Sequence, residues 1–140
     1  MAIQDARRLY MVMPYLYPDL KSENPTGDYH LQNDSDGKGT YVVWHNTEIP
    51  KPTDQELADA KEEAMNTYWW KFLRQVRDKL LVESDWSQGA DVPSDLKSSY
   101  VTYRNDLRDL PTTVTKPSFE TLDGQDIAEW DIPGLMPNKP

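Results

Sequence analysis

The sequence predicts a small α+β protein. It divides into an amino-terminal β-hairpin region (residues 1–52), an antiparallel helical hairpin with one long helix (53–111), and an extended acidic and apolar carboxy-terminal tail (112–140). Three observations carry this reading. A turn-forming run, Asn33-Asp34-Ser35-Asp36-Gly37-Lys38-Gly39, separates two alternating segments. No Gly or Pro interrupts the chain from Thr53 to Gln88. A second helical stripe follows Ser94 and stops at Pro111.

Leu9–Tyr17 mixes apolar and aromatic residues and is broken by Pro14 and followed by Pro18. Proline removes a ladder donor, so this segment is expected to be at best an edge strand. A hairpin centred near Asp36 and Gly37 would pair Leu31 with Val42 and Tyr29 with Trp44. All four then share one face, as the period of two requires.

Thr53 opens the long helix, with Glu56 at the capping-box spacing and Asp54 at the positive end of the dipole. The helix is expected from Asp54 to about Ser84, on the order of 45 Å at 1.5 Å per residue. Its first half is lined by Leu57, Ala60, Ala64 and Tyr68, and its second by the bulkier Met65, Trp69, Phe72, Val76 and Leu80. The helical spacing gives each half an apolar stripe. Asp85–Ala90 is a turn. Ser94 caps a second helix, Asp95 to about Leu110, with the stripe Leu96, Tyr100, Tyr103, Leu107, Leu110 and a stop at Pro111. A connection of about ten residues lets the two helices fold back antiparallel. The second helix covers only the bulky half of the first, so the alanine-rich half must meet the β-like region or a partner. Beyond residue 111, Pro117, Pro133, Pro137 and Pro140 exclude a long helix.

Apolar residues make up 37% of the chain, and five Trp and eight Tyr enlarge the core those residues can build. Cysteine is absent, which excludes a disulfide framework and a thiolate site. Arg7 and Arg8 precede an apolar run, but Pro14 breaks it and no small-residue cleavage site follows. Neither a signal peptide nor a membrane span is expected, and the protein should be soluble and made in a cytoplasm. The net charge of −9 argues against a nucleic-acid binder. The cluster Lys71, Arg74, Arg77 and Lys79 reads as a solvated helix face near a carboxy-terminal end.

Reaction chemistry finds no foothold. Aligning Gly37 with the sixth position of a calcium loop puts Gln32 first and Val43 twelfth, where carboxylates are needed. His30 and His45 are not directly opposite in the hairpin register, and spacing fixes no third ligand, so no metal site is expected. There is no nucleophile elbow and no phosphate loop. No catalytic, cofactor-binding or metal-binding residue is assigned, and the chain is not expected to be an enzyme.

The most informative stretch is Arg77-Asp78-Lys79-Leu80-Leu81, Ser84-Asp85-Trp86, and then Tyr103-Arg104, Leu107-Arg108-Asp109-Leu110-Pro111. It reads R-D-x-L-L-x-x-S-D-W followed by Y-R-x-x-L-R-D-L-P. The pattern resembles the shared segment of bacteriophage tail-fibre assembly chaperones and related tail proteins, over about a quarter of the chain. The resemblance implies an assembly or binding role and no reaction. The protein would bind a tail-fibre subunit in the host bacterial cytoplasm and promote its folding or trimerisation. The alternative is a permanent part of the virion tail, a fibre or baseplate adaptor.

Physically, Leu80, Trp86, Tyr103 and Leu107 are expected to be close together and buried. In that corner Trp86 seals the hairpin core while an Arg, Arg104 or Arg108, reaches Asp85 or nearby carbonyls; Arg77 belongs to the motif. The same Trp, Tyr and Arg would also suit an exposed docking patch, and the sequence leaves both open. In the tail, Ile127, Trp130, Ile132, Leu135 and Met136 crowd into an acidic, turn-rich stretch. A plain linker would be polar there, so these residues are expected to be buried, either against the chain's own helices or, as assigned here, against a partner.

Overall fold

The computed structural model describes residues 8–140; Arg7 of the amino-terminal pair lies outside them. The chain forms two compact units. One holds the chain up to Tyr68 together with Ser118–Asp126, and the other holds Trp69–Pro117 with Ile127–Pro140. The division falls inside the long helix, where its alanine-rich stripe gives way to bulky residues.

In the first unit, Leu9–Leu16 is a helix, α1, and not an edge strand. A short apolar run does not announce its own period. Here burial decides, because Leu9, Met11, Val12 and Met13 are all buried on it. Pro14 stands in its last turn, where it forfeits one backbone bond. Strands β1 (Tyr29–Asn33) and β2 (Thr40–Trp44) form an antiparallel hairpin with Tyr29 opposite Trp44 and Leu31 opposite Val42, the register the alternation predicts. Gly37 sits at φ 82° in the turn, a conformation that glycine adopts without strain.

The long helix, α2, runs Asp54–Glu83. Thr53 Oγ1 accepts the Glu56 amide at 3.1 Å, which satisfies one orphan donor of its first turn. Leu57, Ala60 and Ala64 pack with Leu9, Val12 and Met13 of α1 and with Tyr29 and Val42 of the hairpin. The alanine-rich half therefore meets the β-like region of its own chain, one of the two burials open to it.

The unit is completed by α4 (Phe119–Asp123), capped by Ser118, whose Oγ accepts the Thr121 amide. Buried Arg8 binds its far end. Its Nη2 donates to the carbonyls of Leu122 (3.1 Å), Asp123 (3.3 Å) and Gln125, and its Nε lies 3.9 Å from the Asp123 carboxylate. Lys61 of α2 pairs with the same carboxylate at 3.0 Å. A cation suits the negative end of the helix dipole.

In the second unit, the end of α2 leads through a 3-10 turn, Asp85–Gln88, to α3 (Ser94–Thr113). Its buried residues include Trp69, Leu73, Tyr103, Leu107 and Leu110. α3 continues through Pro111 and does not stop at it. So near a helix end proline costs one bond, and local donors cover the terminal carbonyls. Thr112 Oγ1 donates to Asp109 O (2.7 Å), and the Val114 amide donates to Leu110 O (3.0 Å).

The carboxy-terminal segment is not extended throughout. Two 3-10 turns, Ile127–Trp130 and Ile132–Leu135, follow α4, the second with Pro133 inside it. Trp130 and Ile132, assigned above to a partner, are only 6% and 0% exposed. Their burial is supplied within the chain. Ile127 and Met136 are half-buried, and Leu135 is exposed.

Arg8→Ala should cost about 2–4 kcal/mol of stability, because it strips a charged donor from several buried carbonyls. Urea unfolding, read as a lower midpoint at unchanged slope, checks this. A loss under about 1 kcal/mol would mean that those carbonyls are satisfied without Arg8.

Candidate functional site: the helix corner

The motif residues converge where α2 ends and α3 begins. A helix that stops inside a protein leaves its last carbonyls short of donors. Arg104, on α3, supplies them from across the corner and is 8% exposed. Its Nη1 donates to Leu81 O (2.6 Å) and to Ser84 Oγ (2.7 Å), and its Nη2 pairs with Asp85 Oδ1 (2.9 Å). The guanidinium is suited to this because its planar fork presents several donors at fixed angles.

Two serines complete the lock. Ser84 Oγ lies 2.9 Å from Leu80 O and 3.1 Å from Leu81 O. Ser87 Oγ donates to Ser84 O at 2.6 Å, and both serines are buried. Neither was singled out from the sequence. Ser84 lies within the quoted motif, and its place one residue past a helix end was the available signal.

The expected sealed corner is only half correct. An arginine does reach Asp85 and the carbonyls, and it is Arg104. Tyr103 and Leu107 are buried, and Leu80 is half-buried. Trp86, however, is 55% exposed and does not seal the core. The 3-10 turn explains this, because it directs Ser87 inward and leaves Trp86 on the outside. Trp86 meets Tyr100 edge to face, centroids 5.0 Å apart, and Tyr100 meets Tyr103 in the same manner at 5.9 Å. Tyr100 thus stands where direct contact between Trp86 and Tyr103 was expected.

The three rings form a ladder from surface to core, anchored by packing at Tyr103 and open at Trp86. Burial, followed by the negative charge of nearby groups, raises the Tyr103 phenol above its usual range. Its hydroxyl has no hydrogen-bond partner among the described residues.

The other motif arginines play lesser parts. Arg77 pairs with its neighbour Asp78 at 2.8 Å, and exposed Arg108 donates to Asn105 Oδ1 at 3.2 Å. Arg74, from the basic cluster, lies over the Trp70 ring at 5.7 Å. Two further apolar side chains of this unit, Val82 near the end of α2 and Leu96 one turn before Tyr100, are also exposed.

Two substitutions separate scaffold from surface. Arg104→Ala should destabilise by about 2–3 kcal/mol, since it removes the charged donor held by Leu81 O and the buried Ser84 Oγ. Trp86→Ala should cost only about 1 kcal/mol, the value of an exposed aromatic pair. Denaturant titration of both proteins checks the order, which a core Trp86 would reverse.

Comparison with known proteins bears on this corner. Residues 70–131 match the phage tail assembly chaperone protein family, and residues 9–68 match the XkdW protein family. The two matches meet within α2, where the two units divide. No curated protein and no solved structure matches the chain. No described helix is long and apolar enough to cross a membrane. Residues 70–131, the stretch that is similar to the phage tail assembly chaperone protein family, contain the whole Arg104 corner and its ring ladder.

Proposed function

We propose that this protein is a tail-fibre assembly chaperone, which binds a fibre subunit through the Trp86 face of the helix corner and favours its correct folding or trimerisation. The observation that carries the reading is the exposure of Trp86 on a corner fixed by a buried arginine. A large aromatic ring left half in water has no evident role in stability. Held rigidly, it loses little entropy on binding, which is why Trp and Tyr dominate interface hot spots. Tyr100 packs against it, and Leu96, one turn earlier on the same helix, is exposed as well.

Binding is sufficient for this role. A ligand that prefers an assembly-competent state raises its population by mass action, with no bond made or broken. The reading therefore assigns no catalysis and no cofactor. It places the protein in the host bacterial cytoplasm while tails are assembled.

Co-expression with the cognate fibre gene should increase the yield of soluble, trimeric fibre. Trp86→Ala should lose about tenfold or more in affinity for the fibre subunit, the scale of a hot-spot residue, while its melting temperature stays close to that of the parent. Fibre that trimerises equally well without this chain would refute the chaperone role. If mature particles then held the chain in fixed ratio to the fibre, a permanent tail adaptor would take its place.

A further inference from the structure

The chain has two histidines, and the hairpin brings them together. His30 stands opposite Val43, and His45 lies two residues beyond Val43 on the same face. Diagonal neighbours on one face of an antiparallel pair are within reach of long side chains. His30 Nδ1 lies 2.7 Å from His45 Nε2. The ring centroids are 4.9 Å apart and the planes differ by 26°. That separation is close to the nitrogen contact plus the two ring radii. The nitrogens therefore face each other nearly head-on.

The surrounding hydrogen bonds fix which nitrogen is which. Gln32 Nε2 donates to Asp34 Oδ1 (2.7 Å) and to Tyr41 Oη (2.8 Å), and the Tyr41 hydroxyl donates to Asp34 Oδ2 (2.9 Å). The bonds from Gln32 and Tyr41 hold the Asp34 carboxyl below its usual range, so it is an acceptor. An amide whose nitrogen serves that carboxylate turns its oxygen the other way. Gln32 Oε1 accordingly lies 3.2 Å from His30 Nε2 and accepts its proton. The His30 Nδ1 lone pair is left aimed at His45, whose Nε2 then carries the proton between them.

We propose that His30 and His45 form a two-imidazole site for a first-row divalent ion, Zn2+ or Ni2+, bound through His30 Nδ1 and His45 Nε2. Neutral imidazole suits these ions. The arrangement around His30 is also the one metal ligands require: its far nitrogen is held by an acceptor that orients the ring and fixes the tautomer. On binding, the ion takes the place of the proton on His45 Nε2, which moves to His45 Nδ1, so the pair loses no net proton. Metal–nitrogen bonds of about 2.0–2.1 Å at a tetrahedral angle need the nitrogens about 3.3 Å apart, so the 2.7 Å contact opens by about 0.6 Å. Among the described residues no third His, Cys, Asp or Glu joins the pair, so water fills the remaining positions. The site is independent of the Trp86 face and of the chaperone reading.

Calorimetric titration of the full, tag-free chain with Zn2+ and with Ni2+ tests it. One ion per chain and a melting temperature raised by metal are expected. His30→Asn and His45→Asn should each weaken binding about tenfold or more, and Gln32→Leu, which removes only the orienting acceptor, should weaken it at unchanged stoichiometry. No binding, or equal binding by both histidine variants, would overturn the proposal. Should either variant lose its fold by circular dichroism, the imidazole proton resonances of the parent protein decide. Shifts of both rings on adding Zn2+ support the site, and unmoved resonances refute it.

Discussion

Both units depend on the same solution to one problem. A helix that ends inside a protein presents carbonyls that nothing further along the helix can satisfy. Here a buried arginine from elsewhere in the sequence answers each time. Arg104 closes the end of α2, and Arg8 closes the end of α4. In each case a carboxylate, Asp85 or Asp123, shares the charge. Breaking such an arrangement is costly because a charged donor is lost from a buried, hydrogen-bonded end. The two arginines therefore fix where the chain turns, and side chains displayed at those turns inherit their rigidity.

That rigidity is what the proposed Trp86 docking surface draws on. The corner sets the 3-10 turn, the turn places Ser87 inside and Trp86 outside, and Tyr100 and Tyr103 connect the exposed ring to the core. A chaperone gains from such a surface. It can hold a client's apolar patch without ordering its own side chains first, so less binding energy is lost to entropy. The family match covers this whole construction, from the second half of α2 to the end of the 3-10 turn at Trp130.

The legible parts of the fold were those set by local rules. The hairpin register followed from alternation and turn chemistry, and α2 from its capping box and its freedom from Gly and Pro. The misread parts were those decided by tertiary burial. Leu9–Leu16 looked like a poor strand because Pro14 and Pro18 dominate its local chemistry, yet four buried apolar side chains make it a helix. Pro111 looked like a stop, but threonine hydroxyls at the helix end let α3 pass it. Trp130 and Ile132 looked like anchors for a partner because no local pattern revealed a core to receive them. At the corner, residue types foretold an arginine reaching Asp85. They could not say which face of a 3-10 turn Trp86 would take, nor that a diagonal hairpin position would bring His45 to His30.

The most direct measurement is amide hydrogen exchange on the free chain and on its complex with the fibre subunit. In the free chain the last turn of α2, around Leu81 and Ser84, should already exchange slowly, since Arg104 holds it closed. Adding the fibre subunit should bring new protection to residues 85–101, around Trp86 and the first turns of α3. Rapid exchange at the α2 end in the free chain, or protection confined to the first unit on binding, would contradict the account.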